Sequence, residues 1–176
     1  GEYTVALGER FPERNFIGVD VKGARLWRGA KTATENGMKN VAFLRTRIEF
    51  IDSCFAPGEV DEIWITFPDP QLNKNRIKKR LTAPQFLAMY ARFLREGGMI
   101  NLKTDSVHLH EYTKNLARGN GLPVAACCDD IYGTGFADEV LSIKTTYEQR
   151  FLQEGLPITY LRFGFGDRRE FETIPF

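Results

Sequence analysis

The chain has 176 residues, 43% of them hydrophobic, a length and apolar content that let one globular domain bury a sizeable core. Its 24 basic residues are nearly matched by 23 acidic ones, leaving a net charge of +1, so a nucleic-acid partner would have to be held by local patches and not by overall charge. No apolar run approaches the ~20 residues of a membrane span and no signal-peptide pattern is visible at the start, so neither membrane insertion nor export is expected.

Cys54, Cys127 and Cys128 are odd in number and lack metal-ligand spacing, as expected of small buried or idle thiols in a reducing cytoplasm. At the start, Val5, Ala6, Leu7 and Phe11 fall at helical spacing, and residues 15–20 read as a strand ending in Asp20. Nineteen positions separate Gly1 from Asp20, the spacing between a glycine-rich turn and the acidic residue that takes ribose hydroxyls in a nucleotide-binding βαβ unit. On that reading Gly1 is the last glycine of such a turn. A doubly wound sheet also needs a central first strand upstream of it, so the chain is expected to lack its amino-terminal part.

Residues 21–36 fit a helix with Ala24, Trp27, Ala30 and Ala33 along one face and Gly37 as its stop, which makes Trp27 a core expectation. Residues 41–44 read as a short strand, with Arg45, Thr46 and Arg47 where its end would meet a cofactor, and 48–55 as a short helix closed by Pro57-Gly58. The run 63–67 is β-branched and aromatic, a buried strand, and ends in Phe-Pro-Asp-Pro, where two prolines forbid both helix and further ladder pairing. Asp69 is thereby held in a rigid turn at a strand's carboxyl end, the edge at which ligands bind in open α/β sheets. Lys74, Arg76, Lys78, Lys79 and Arg80 follow directly, a cationic cluster suited to gripping phosphates. A capping aspartate followed by a solvated charged helix would explain either feature alone.

Thr82-Ala83-Pro84 can start a helix running through Phe86, Leu87, Tyr90 and Leu94 and ended by Gly97-Gly98. Residues 99–102 read as a strand that runs into Lys103-Thr104-Asp105, with Asp105 a cap for a helix beginning near Val107. His108 and His110, two apart on a helix, point to different faces and make a poor metal or catalytic pair. Residues 124–128 suggest a strand and 130–139 a mobile loop. Thr145 to Glu148 fit a capping box, and 158–165 a last strand without a crossover helix, which allows it to lie antiparallel. Short strands alternating with helices indicate an α/β fold around a parallel sheet.

Taken together, GE-Y at the start, FIGVD, FPDP with a basic run ending KKRL, LKTD and TTYE resemble the tRNA (guanine-N7-)-methyltransferase family, of the TrmB type, over nearly the whole chain. The resemblance implies a Rossmann-like class I methyltransferase: a mostly parallel seven-stranded sheet, helices on both faces, an antiparallel strand near the carboxyl end. It implies a cytoplasmic enzyme, monomer or homodimer, that uses S-adenosylmethionine, without a metal, to methylate N7 of a guanine in the tRNA variable loop. S-adenosylhomocysteine would be the by-product. Carried over residue by residue, Asp20 binds cofactor, Asp69 serves both cofactor binding and catalysis, and Asp105 with Thr145, Thr146, Tyr147 and Glu148 contacts substrate; Gly1, by its spacing, and Arg47, at the adenine position, are further cofactor-binding expectations, and Asn73 a further substrate-binding one. Lys74, Arg76, Lys78, Lys79 and Arg80 match the RNA-contacting run.

Three positions depart from the family pattern. Gln71 stands where a tryptophan is usual, Asn73 where a substrate-contacting lysine is usual, and Arg47 where an acidic or amide residue usually meets the adenine. They leave open a non-catalytic, RNA-binding relative; a dinucleotide-dependent oxidoreductase is a further alternative that Asp20 alone would tolerate.

Overall fold

The structure is a computed structural model that describes residues 1–175. The chain forms two compact units, one of Gly1–Ile51 with Asp138–Thr146, the other of Asp52–Ala137 with the chain from Tyr147 onward.

The first unit is a βαβ arrangement preceded by a helix: α1 (Glu2–Arg10), β1 (Phe16–Asp20), α2 (Gly23–Glu35) and β2 (Val41–Arg45). β1 and β2 pair in parallel, with Phe16 opposite Val41 and Asp20 opposite Arg45, so the carboxylate of Asp20 lies at the carboxyl edge of this pair. The link from α1 to β1 is closed by Asn40, whose side-chain amide donates to the carbonyls of Gly8, Phe11 and Arg14 at 2.9, 3.2 and 3.0 Å. Segment 138–146 is tied to α1: Tyr3 Oη donates to the Val140 carbonyl at 2.9 Å, and the Glu2 carboxylate accepts from the Thr146 N–H and hydroxyl at 2.9 and 2.5 Å.

Leu26, Gly29 and Ala33 form the buried stripe of α2. Trp27 is therefore not a core residue as expected from the Ala24–Trp27 face; it is 64% exposed, and its ring carries the Lys31 ammonium at 5.4 Å. One step of about 100° around the helix separates the two faces, and a large aromatic lures a pattern reading onto the wrong one.

The second unit holds a four-stranded sheet, β3 (Val60–Thr66), β4 (Leu94–Thr104), β5 (Val124–Cys128) and β6 (Thr159–Gly164), in the order β3-β4-β6-β5. β3 and β4 are parallel; β6 is antiparallel to both β4 and β5, as expected of the last strand. β4 is buried on both faces from Ile100 to Thr104, the signature of a central strand, and Ile100, Leu102, Leu161 and Phe163 are fully enclosed. Each such side chain contributes about 1.5–3 kcal/mol through burial. Among the described residues there are six strands in two sheets, against the seven expected.

Two boundaries differ from expectation. The helix foreseen to reach Leu94 ends as α3 (Pro84–Tyr90), and Leu94 already pairs with Val60 in β4. Gly97 and Gly98 lie inside that strand, where the register slips between Val60–Leu94 and Glu62–Met99; Gly97, at φ 71°, serves the irregularity and not a helix stop. Ahead of α4 (Val107–Gly119), the capping residue is Ser106, whose hydroxyl accepts from the Leu109 N–H at 3.2 Å, so Asp105 is not needed as a cap. The 130–139 stretch, expected as a mobile loop, is pinned: Ile131 is fully buried and exchanges backbone bonds with Ile158 and Ala137. No helix among the described residues is long and apolar enough to cross a membrane.

Candidate active site

At the carboxyl end of β3 the chain leaves the sheet at Phe67, whose N–H donates to the Lys103 carbonyl at 2.9 Å. Phe67 and Gln71 have φ of 49° and 48°, the only non-glycine residues in the left-handed region among those described, and they bracket Pro68-Asp69-Pro70. Each such residue costs on the order of 1–3 kcal/mol and persists only where the surroundings over-determine it. The prolines cannot relax by rotating φ, so the strain falls on their neighbours. Asp69 is exposed, and one carboxylate oxygen accepts from the Gln71 N–H at 2.9 Å, which fixes the group while leaving acceptor capacity on the rest of the carboxylate.

The clamp on this loop is Arg80. Its Nε donates to the Pro70 carbonyl at 3.0 Å, its Nη2 to the Gln71 carbonyl at 3.2 Å, and Nη2 also reaches His108 Nε2 at 2.9 Å. Its guanidinium stacks 4.4 Å from the Tyr112 ring, and the residue is only 1% exposed. Arg80 was expected to contact RNA, but a side chain buried against two carbonyls cannot meet a phosphate. Lys74, Arg76, Lys78 and Lys79 lie on a short 3₁₀ helix (Lys74–Lys79), all exposed, and no carboxylate among the described residues pairs with them. Asn73 starts this helix: its side chain accepts from the Asn75 N–H at 3.0 Å.

The end of β4 is organised around a fully buried ion pair. Lys103 Nζ lies 2.8 and 2.9 Å from the two oxygens of Glu148, and Tyr132 Oη donates to Glu148 at 2.6 Å. Burial, reinforced by the Glu148 charge, pushes the Tyr132 phenol up and keeps it a donor. Glu148 sits on α5 (Thr146–Gln153), and the Phe151 ring of the same helix lies 5.9 Å from that of Phe67. Glu148 and Thr145 were expected to touch substrate, yet both are buried, Glu148 completely; its carboxylate neutralises Lys103 instead. Tyr147 and Thr146 are exposed, though the Thr146 hydroxyl is engaged by Glu2. Asp105 is half-buried just past β4, and desolvation, helped by the nearby Glu154 charge, raises its pKa above the usual carboxylate range.

In the first unit, Asp20 Oδ1 accepts from the Lys22 N–H at 2.9 Å and Oδ2 lies 3.9 Å from Arg25, so the acid is oriented at the strand edge with acceptor capacity left for hydroxyl donors. A Cβ on Gly1 would come 2.8 Å from the Gly29 Cα and 3.0 Å from the Phe43 ring, so a larger residue there would force its neighbours to shift. Arg47 is exposed and its guanidinium meets Glu49 at 3.1 Å, so a carboxylate is supplied beside the position where one was expected in the chain itself.

Sequence reading missed Lys103, Tyr132 and the structural duty of Arg80. A signal existed for Lys103: a cation that directly follows the mostly apolar Met99–Leu102 run of a strand has to find a partner.

Known proteins share this fold. Among solved structures, an antibiotic-related methyltransferase superposes with a TM-score of 0.63 at 18% identity over 93% of this chain and 81% of that one. Geranyl diphosphate C-methyltransferase from Streptomyces coelicolor A3(2) gives 0.57 at 15% identity over 90% of this chain and 66% of that one. A family model described as "Putative methyltransferase" matches residues 1–161. The fold, with its acids at strand ends, is that of the S-adenosylmethionine-dependent methyltransferases. Among curated proteins, the tRNA (guanine-N(7)-)-methyltransferase of Porphyromonas gingivalis is 58% identical over 168 residues, 95% of this chain and 68% of that protein. The Bacteroides fragilis protein of the same name is 54% identical over 93% of this chain and 64% of its own length. The chain belongs to the tRNA (guanine-N7-)-methyltransferase family and spans about two thirds of the length of these relatives.

Proposed function

We propose that the protein transfers the methyl group of S-adenosylmethionine to N7 of a guanine in the variable loop of tRNA. The observation that carries this reading is the strained, clamped loop that presents Asp69 beside four unpaired cations, in a chain 58% identical to a tRNA (guanine-N(7)-)-methyltransferase.

The residues present fit the cofactor. Asp20 offers an oriented carboxylate to ribose hydroxyls, Gly1 gives the close packing that a nucleotide-binding turn needs, and the Arg47–Glu49 pair is the polar group offered toward adenine. The cofactor supplies an electrophilic sulfonium methyl. Guanine N7 has an in-plane lone pair and no proton, so the protein has to align it and needs no strong base and no metal for the transfer. Asp69, shared between cofactor and substrate, stabilises the positive charge that builds on the purine. Asp105 accepts hydrogen bonds from the guanine N1 and exocyclic amine, which selects guanine over adenine. Asn73, Thr146 and Tyr147 line the approach of the base, and Lys74, Arg76, Lys78 and Lys79 hold tRNA phosphates while the base leaves its stack.

A mostly parallel seven-stranded sheet belongs to this reading, as do a cytoplasmic setting and a monomeric or homodimeric state. The test is methyl transfer by the full-length protein to a tRNA carrying guanine in its variable loop. N7-methylguanine is the expected product, and Asp69→Ala should lower kcat by about 100-fold or more, the scale of losing one preorganised electrostatic group. An Asp69→Ala enzyme at near parental rate removes the central assignment.

A further inference from the structure

Away from these residues, three side chains of different elements converge at the outer edge of the four-stranded sheet. His110, on α4, is fully buried; Cys127 lies in the edge strand β5 and Asp129 one residue beyond its end. The His110 Nε2 lies 3.1 Å from an Asp129 oxygen and 3.7 Å from the Cys127 sulfur, and all three ligand atoms lie within 4.8 Å of one another. No other trio of such ligands converges in this way among the described residues.

The two distances from the imidazole nitrogen are close to those of a coordination sphere. With Zn–N and Zn–O near 2.0 Å and Zn–S near 2.3 Å, tetrahedral angles place the nitrogen about 3.3 Å from the oxygen and about 3.5 Å from the sulfur. The observed separations depart from these by about 0.2 Å each. Imidazole, thiolate and carboxylate together suit a borderline-soft divalent cation, and not magnesium or calcium, which want oxygen alone. The buried imidazole gives the cluster a fixed ligand. Cys127 and Asp129, both exposed, give the ion a path from solvent and leave the fourth position to water. Lys114, ion-paired with Glu111, approaches Asp129 to 3.9 Å; its charge weakens the site without occupying it.

We propose that His110, Cys127 and Asp129 form a zinc site that ties the edge strand β5 to α4. Cys127 binds as thiolate, its proton leaving to solvent, and the ion cross-links residues 17 to 19 positions apart in sequence. The site stands independently of the methyl-transfer reading.

The test is titration of the chelator-treated, reduced full-length protein with Co²⁺ as a spectroscopic stand-in for Zn²⁺, followed by displacement with Zn²⁺. One Co²⁺ per chain should bind, with a sulfur-to-cobalt charge-transfer band that zinc abolishes. Cys127→Ser should remove the band, Asp129→Ala should weaken binding by at least about tenfold, and Cys54→Ser should change neither. Both varied site residues are exposed, and circular dichroism checks that they fold. Absence of the band in the parent protein, its survival in Cys127→Ser, or unaltered affinity in Asp129→Ala overturns the site.

Discussion

At the scale of single residues, Arg80 shows how burial changes the meaning of a charge. It closes a run of cations, and on composition alone belongs with them, yet its hydrogen bonds to the Pro70 and Gln71 carbonyls make it a support of the Asp69 loop. Charged hydrogen bonds of this kind contribute about 1.5–3 kcal/mol each. Arg80→Ala should therefore lower stability by about 2–4 kcal/mol in a denaturant titration, while leaving the salt dependence of tRNA binding unchanged. A surface phosphate contact would give the opposite pair of results.

Asp105 is the residue whose behaviour should follow pH. Its folded-state pKa is raised by desolvation, so over the window between the ordinary carboxylate value and the raised one the folded state holds the extra proton. Stability then falls as pH rises through that window, because ∂ΔG/∂pH follows the protons bound unfolded minus folded, here negative. Asp105→Asn should raise Tm at neutral pH and leave it unchanged in acid below the ordinary carboxylate value, as differential scanning calorimetry at the two pH values would show. Methyl transfer, if Asp105 accepts from guanine as a carboxylate, should decline in the parent enzyme as pH falls through the raised value.

At the scale of elements, the Lys103–Glu148 pair decides where α5 sits against β4. Both side chains are 0% exposed, so removing one partner leaves an uncompensated buried charge, a change that costs about 3–5 kcal/mol. Glu148→Leu should unfold the protein at correspondingly lower denaturant concentration. Adding Lys103→Met should recover most of the loss, because two apolar groups of similar volume need no partner. A double variant no better than the single one would mean that the pair is not energetically coupled. The left-handed Phe67 belongs to the same assembly, its ring lying 5.8 Å from the Lys103 ammonium and 5.9 Å from Phe151.

At the scale of the whole molecule, a net charge of +1 gives no general attraction for RNA, so binding should depend on the exposed cations of one short helix. If each contacts one phosphate, replacing Lys74, Arg76, Lys78 and Lys79 by glutamine should reduce the slope of log K against log salt by about 3–4, read from filter binding across a salt series. A slope unchanged within error would move the RNA footprint elsewhere.

Much of this was legible before any coordinates. Alternating strands and helices announced an α/β fold, Asp20 and Asp69 were placed at strand ends, and FPDP was recognisable as a rigid turn, because proline geometry and side-chain periodicity act over a few residues and are written locally. Burial is not written locally. Whether Arg80 meets phosphate or carbonyl, whether Glu148 faces substrate or Lys103, which face of α2 takes Trp27 outward, and that His110 meets Cys127 and Asp129 all turn on which distant segments fold back against a given side chain. The linear chain thus carried the class of fold and the local turns and strand ends, while the desolvated partners of each charge were chosen by packing: the energy of an ion or a polar group depends on everything within a few ångströms, and that neighbourhood exists only in the folded molecule.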